Sequence, residues 1–140
     1  MSGHVLPVPD EVSAPYWEAC ARHELVLARC SDCGAVSHPP DVTCPSCNSL
    51  DPRFTWAPAS GTGKLRSWTV IRHSFLSGFE LPFILADVQL DDHPQVRLIG
   101  RLVDGPDTPL ALGDALSLVF DDLAPGVAVP AFTKAGVALA

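Results

Sequence analysis

Two pairs of cysteines with the same spacing are the residues best suited to do chemistry in this sequence of 140 residues. The first pair is Cys30 and Cys33, and the second is Cys44 and Cys47. A C-x2-C turn brings both sulfurs to one side, so two such turns can surround one tetrahedral zinc ion with four thiolates. The thiolates then fill the shell and leave no position for water or substrate. The spacing therefore predicts a structural zinc site and not a catalytic one.

Two disulfides or a redox-active C-x-x-C pair are the alternatives to zinc. Disulfides require an oxidising compartment, and residues 1–10 lack the basic stretch and apolar core of a secretory signal. Gly34 and Asn48 follow the two pairs and suit turns that need a positive φ. We therefore favour zinc and assign His38 a structural role. Cys20 has no matched partner and is expected to be a small buried hydrophobe.

The overall charge limits the classes of function. The formal net charge is -7 and the sequence pI is about 4.9, which argues against nucleic-acid binding because that binding rests on a basic surface. No apolar run approaches the length of a membrane-spanning helix. From these features we expect a soluble cytoplasmic protein.

The first half of the chain predicts a helix followed by a zinc ribbon. The helix is expected over residues 14–23, with Ser13 as its N-cap. Its apolar stripe is formed by Tyr16, Trp17 and Cys20. We favour packing of this stripe on the core of the protein, and the alternative is a docking surface. Strands are expected over residues 25–29 and 36–38, on either side of the first cysteine pair.

The second half has the two-residue periodicity of β-strands. A linker is expected over residues 57–63, before the strands. An OB-fold barrel is favoured over a β-sandwich because there are too few strands for two sheets, and Gly100 suits a sharp bend at a barrel corner. The strands are expected over residues 64–73, 84–90, 96–103 and 115–120.

Several segments together resemble a family of zinc-ribbon plus OB-fold proteins associated with acyl-CoA enzymes. The ordered set covers nearly the whole chain, and it includes the segments around both cysteine pairs. The remaining segments that carry the resemblance are residues 16–19, 25–30, 39–40, 61–63, 67–70, 82, 112–114 and 130–132.

The resemblance implies a mainly β fold in three parts. These are an N-terminal helical segment (1–24), a rubredoxin-like zinc ribbon (25–56) and a C-terminal OB-fold β-barrel (57–140). It also implies a thiolase-superfamily partner, in a heterotetramer with two copies of each chain, and a coenzyme A thioester as the substrate of the complex. The chain would stabilise the partner and help to bind the thioester, and the favoured reaction is retro-aldol cleavage of a steroid side-chain acyl-CoA.

Two groups of residues are candidates for contacts in such a complex. One strand face offers cations for the phosphates of coenzyme A and an aromatic ring for its adenine. The alternative interpretation is that this face is simply exposed to solvent and that its tryptophan packs in the core. An apolar segment between two strands would cover the barrel end, contact a partner or line an acyl tunnel. The face comprises Lys64, Arg66, Trp68 and Arg72. The partner or acyl contacts comprise Phe75, Leu76, Phe79, Tyr16 and Trp17.

No catalytic residues are assigned from the sequence, because its five histidines are scattered and match no recognisable triad. Asp91, Asp92 and His93 suggest a second metal site, but ordinary turn chemistry is favoured. We therefore expect an accessory subunit without activity of its own. The alternatives are a partner of a thiolase-like acyltransferase or of an acetoacetyl-CoA and hydroxymethylglutaryl-CoA synthesis complex, an OB-fold nucleic-acid-binding protein, or a stand-alone enzyme.

Overall fold

One helix and eight strands form the described part of the chain, residues 5–76 and 78–134 of a computed structural model. The predicted mainly β fold is confirmed, because the structure has a cysteine cluster and a closed β-barrel. The barrel has five strands, one more than predicted. None of the helices in these residues is long and apolar enough to cross a membrane. The elements are α1 (Ala14–Ala21), β1 (Val26–Arg29), β2 (Val36–Ser37), β3 (Thr55–Pro58), β4 (Thr62–Ile71), β5 (Phe83–Leu90), β6 (Arg97–Leu102), β7 (Ala115–Ala124) and β8 (Val127–Thr133).

Helix α1 is two residues shorter than predicted at its C-terminus. His23 adopts a φ of 60°, which is outside the helical region and ends the helix. Ser13 occupies the N-cap position, but its side chain makes no cap hydrogen bond. Instead, its hydroxyl accepts from the Asp10 N–H, and the Ser13 N–H donates to the Asp10 carboxylate. Cys20 is fully buried, as predicted.

The ribbon contains a three-stranded antiparallel sheet in the order β2-β1-β3. The prediction of a linker over residues 57–63 was wrong at its start, which belongs to strand β3. Ala57 pairs with Leu27, and Pro58 pairs with Val26. Both Leu27 and Ala57 are buried. Proline and alanine next to a Gly-rich stretch indicate a loop locally, and only the long-range pairing with β1 makes this segment a strand.

The barrel closes in the order β4-β5-β6-β8-β7, with β7 also pairing with β4. All pairs are antiparallel except β6 with β8. The sequence did not predict β8 and placed the end of β7 four residues too early, at Phe120. Pro130 explains the omission because proline is rare within central strands. It lies in β8 opposite Phe120.

Strands β6 and β8 lie close together at Gly100. A Cβ atom at this position would lie 3.0 Å from the Pro130 carbonyl oxygen and 3.2 Å from the Phe132 ring. A larger side chain would therefore force the two strands apart. Helix α1 packs across β8 and β1, so it connects the barrel with the ribbon.

Candidate functional site

The four predicted zinc ligands converge at one end of the ribbon. Their sulfur atoms all lie within 4.8 Å of one another. Cys30 Sγ lies 3.8 Å from Cys47 Sγ, and Cys33 Sγ lies 3.7 Å from Cys44 Sγ. A tetrahedral site with Zn–S bonds near 2.3 Å requires sulfurs about 3.8 Å apart. The donor set and its spacing thus fit one zinc ion, and His38 is not part of the cluster.

Backbone N–H groups in both turns point at the sulfurs. Asp32 N donates to Cys30 Sγ, and Ser46 N donates to Cys44 Sγ, both at 3.4 Å. Gly34 and Asn48 have φ values of 77° and 62°, as the turn chemistry predicted. These donors stabilise thiolate, which is the form that binds metal.

The thiols differ in their acidity because four of them crowd together. The backbone N–H of Cys47 contributes most to lowering the pKa of Cys44, to about 7. The backbone N–H of Ser49 favours the Cys47 thiolate, but burial and the neighbouring thiols outweigh it and raise the pKa of Cys47 to about 12. Four thiolates at these distances need a cation among them.

A hydrogen-bonded network joins the two cysteine turns outside the sulfur cluster. Asp32, in the first turn, accepts from the Ser49 hydroxyl and from Arg53 Nη2, the latter at 3.0 Å. Both donors lie just after the second turn, and Ser49 contributes most to lowering the pKa of Asp32. The network holds the turns beside each other, so it preorganises the sulfur cluster.

The basic and aromatic residues that were predicted to share one face of β4 lie on both faces of the strand. A β-bulge at Arg66 shifts the register between Leu65 and Ser67. Before the bulge, Lys64 pairs with Gln89 on the outer face, whereas after it Trp68 pairs with the buried Ala86. The expectation of one continuous face was therefore wrong. Simple alternation cannot reveal a bulge, because one extra residue inverts every later side chain.

The acidic turn between β5 and β6 is engaged in structural contacts. Asp91 forms an ion pair with Lys64 at 3.0 Å, so it neutralises one of the predicted coenzyme A contacts. Asp92 accepts from the Ser60 N–H, and His93 Nε2 lies 3.2 Å from the Pro58 carbonyl oxygen. These contacts support the favoured reading of a turn over a second metal site.

The β4–β5 connection presents apolar side chains to solvent. Phe75 is 95% exposed and Leu76 is 53% exposed, so two large apolar side chains adjacent in the sequence face solvent. Phe79 behaves differently, because its ring stacks on Phe83 at 5.3 Å. The described segment therefore has an exposed tip, Phe75 and Leu76, and a base that packs on the barrel.

A groove of about 940 Å³ lies between α1, the ribbon and the barrel. Tyr16 and Trp17 from α1 and Phe79 from the connection line it, so three of the predicted partner or acyl contacts belong to one cavity. Phe75 and Leu76 are not among its lining residues. The sequence did not single out Ile99 or the ribbon segment 38–40 as part of this site, although Ile99 is an apolar residue at an outward position of β6.

Each histidine in the described part of the chain has its own packing or hydrogen-bond contact. His23 Nε2 contacts Asp122 at 2.7 Å while its ring stacks on Phe120, and both contacts attach the helix end to β7. His73 packs edge-on against Phe75, and His38 packs against Tyr16. His4 lies outside the described residues.

Fold and cysteine cluster together define a zinc-ribbon and OB-fold protein. The profile of the ChsH2 rubredoxin-like zinc ribbon domain matches residues 17–53, and that of the ChsH2 C-terminal OB-fold domain matches residues 56–121. The chain belongs to this ChsH2 family. The resemblance inferred from the sequence motifs is thereby confirmed.

A solved structure described as an Ltp2-ChsH2(DUF35) aldolase contains a chain similar to this one. The two chains are 31% identical, the match covers 91% of this chain and 97% of that one, and the TM-score is 0.79. Identity at this level over nearly the full length of both chains supports a shared family as well as a shared fold.

Two curated relatives are longer proteins. A probable enoyl-CoA hydratase alpha subunit of Thermomonospora curvata is 31% identical over 92% of this chain, which spans 39% of that protein. A 3-oxo-4,17-pregnadiene-20-carboxyl-CoA hydratase alpha subunit of Mycobacterium tuberculosis is 27% identical over 83% of this chain, which spans 36% of that protein. The chain thus covers little more than a third of each relative.

Proposed function

We propose that this chain is a non-catalytic partner subunit of a thiolase-superfamily acyl-CoA enzyme and acts in retro-aldol cleavage of a steroid side-chain acyl-CoA. The observation that carries the proposal is the likeness, over nearly the full length, to a chain of the Ltp2-ChsH2(DUF35) aldolase. The steroid assignment rests on the relative named for a pregnadiene carboxyl-CoA thioester.

The four cysteines hold one zinc ion in a structural role. All four shell positions are taken by sulfur from this chain, and the thiols lie at the separations that a tetrahedral site requires. Zinc binding supplies folding free energy to the ribbon, which in turn supports one wall of the groove.

The exposed tip is the contact with the partner. Phe75 and Leu76 would bury large apolar side chains in an interface. In the free chain these side chains are exposed to water and contribute no burial of apolar surface. A heterotetramer with two copies of each chain would use one such tip on each copy.

Coenzyme A binds beside the part of β4 from Arg66 to its C-terminus and the residue that follows it. Arg66, Trp68 and Arg72 are all exposed there, and they offer two cations and a ring to the nucleotide. Lys64 contributes less than its charge suggests because Asp91 neutralises it. A complete site for the thioester would need further residues from the partner.

Affinity capture from the native host tests the partner role. The tagged chain, purified at moderate salt, should bring down a thiolase-superfamily protein in comparable amount, as identified by mass spectrometry. The double variant Phe75→Asp and Leu76→Asp should lose that protein, because two carboxylates would be buried in the interface. The matched control is Val42→Asp and Leu50→Asp, which changes two exposed apolar residues of the ribbon.

The control variant should retain the partner. Capture of the same protein by the tip variant would place the interface elsewhere. Recovery of nucleic acid, or of no thiolase-superfamily protein, by the unmodified chain would contradict the proposed function.

A further inference from the structure

We infer that the groove between α1, the ribbon and the barrel binds the uncharged, apolar acyl part of the thioester and excludes coenzyme A itself. This inference rests on the proposed function, because it assigns one portion of the substrate to one cavity. The volume of about 940 Å³ lies within the range of small-molecule sites.

The walls of the groove come from all three parts of the molecule. Trp17 projects from α1, Pro39 and Pro40 belong to the ribbon, and Phe83 and Ile99 lie on the barrel. Ile99 is 61% exposed at an outward position of β6, where a soluble strand usually carries a polar residue. Rings and branched side chains on facing walls favour a bulky apolar ligand.

The arginines that line the groove are already paired with carboxylates. Arg101 donates two hydrogen bonds to Asp121, at 2.7 and 3.0 Å, and Arg97 is paired with Asp87. Asp122 contacts His23. Both guanidinium groups among the described lining residues are therefore engaged by carboxylates.

No surplus cation remains in this lining for a phosphate. Glu80 lies there as well, so the carboxylates outnumber the two guanidinium groups. The phosphates of coenzyme A carry several negative charges and would be repelled from this surface. The nucleotide must bind elsewhere, which agrees with the proposed site near Arg66 and Arg72.

His38 adds a neutral polar group to the apolar wall. Burial lowers its pKa, so the imidazole is uncharged at neutral pH and adds no positive charge to the groove. Its Nδ1 is buried without a hydrogen-bond partner in the described structure, and its ring packs on Tyr16. The groove thus has an uncharged imidazole beside its apolar walls and gains no cation from it.

Equilibrium dialysis of tritiated progesterone against the isolated chain tests the inference. Progesterone is an uncharged steroid and carries no coenzyme A. We expect saturable one-to-one binding that excess free coenzyme A does not displace. Ile99→Asp should weaken binding by about tenfold or more, because it places a carboxylate in the apolar wall.

Two further variants separate occupation of the groove from general damage. Ile99→Trp fills the groove without adding charge and should also weaken binding. Leu112→Asp makes the same chemical change as Ile99→Asp at an exposed site outside the groove, where Leu112 is 71% exposed, and should leave binding within about twofold. Zinc content should be the same in all variants.

Several results would overturn the inference. These are absence of progesterone binding, equal weakening by Leu112→Asp, and displacement by coenzyme A. Loss of partner capture with Ile99→Asp, without progesterone binding by the unmodified chain, would show that a protein segment covers the groove instead. Failure to capture any thiolase-superfamily partner would contradict the proposed function but would leave this binding assay unchanged, so the two failures are distinguishable.

Discussion

The ribbon and the barrel bury very different numbers of large side chains. In the ribbon, those that are fully buried are Leu27 and the zinc-site residues Cys30 and Cys44. The barrel buries a continuous apolar set that comprises Leu65, Ile84, Val88, Leu90, Leu102, Leu116 and Phe132. Because a ribbon of this size cannot bury an adequate core, its stability must come from metal ligation, whereas the barrel is stabilised by packing.

This difference matters for function because the groove spans both regions. Its ribbon wall, residues 38–40, follows β2 and precedes the second cysteine pair. Its barrel wall belongs to strands that are closed into a complete ring. Loss of zinc should therefore remove one wall of the groove while the other wall remains folded.

The largest expected effect is that of breaking the zinc shell. Cys44→Ser should abolish zinc retention and unfold the ribbon, because structural zinc contributes on the order of 10 kcal/mol in small domains. Backbone amide NMR signals from the ribbon should collapse while those from the barrel stay dispersed. The control Cys20→Ala removes a buried thiol outside the cluster and should keep one zinc ion per chain. Full zinc content in the Cys44 variant would contradict the metal-dependent half of the comparison.

A smaller effect is expected from a cavity in the barrel. Phe132→Ala should lower the free energy of unfolding by about 3–5 kcal/mol in urea denaturation, because Phe132 is fully buried. Phe75→Ala removes the same side chain from the exposed tip and should change stability by no more than about 0.5 kcal/mol. Equal destabilisation by the two variants would show that the barrel core does not provide the stability assigned to it.

In both regions the sequence predicted local features better than features that depend on long-range pairing. The cysteine spacing with Gly34 and Asn48 predicted the ribbon turns correctly, because metal ligation and positive φ are local requirements. The apolar alternation of residues 84–90 likewise predicted β5. In both segments the signal lies within a few neighbouring residues.

The missed features depend on contacts between distant residues. Strand β3 is defined by its pairing with β1, in which Ala57 lies opposite Leu27. Strand β8 forms although it contains Pro130. The Arg66 bulge divides a face that looked continuous in the sequence. The groove is lined in part by the Arg101–Asp121 pair, whose members lie on different strands and have no shared local pattern.

Reconstitution of activity tests the central claim most directly. The captured thiolase-superfamily protein would be purified without this chain and assayed for cleavage of a steroid side-chain acyl-CoA, alone and after addition of the chain. We predict that the partner alone has little activity, that the chain alone has none, and that mixing the two restores turnover. Turnover by the chain alone, or partner activity that does not change when the chain is added, would contradict the account.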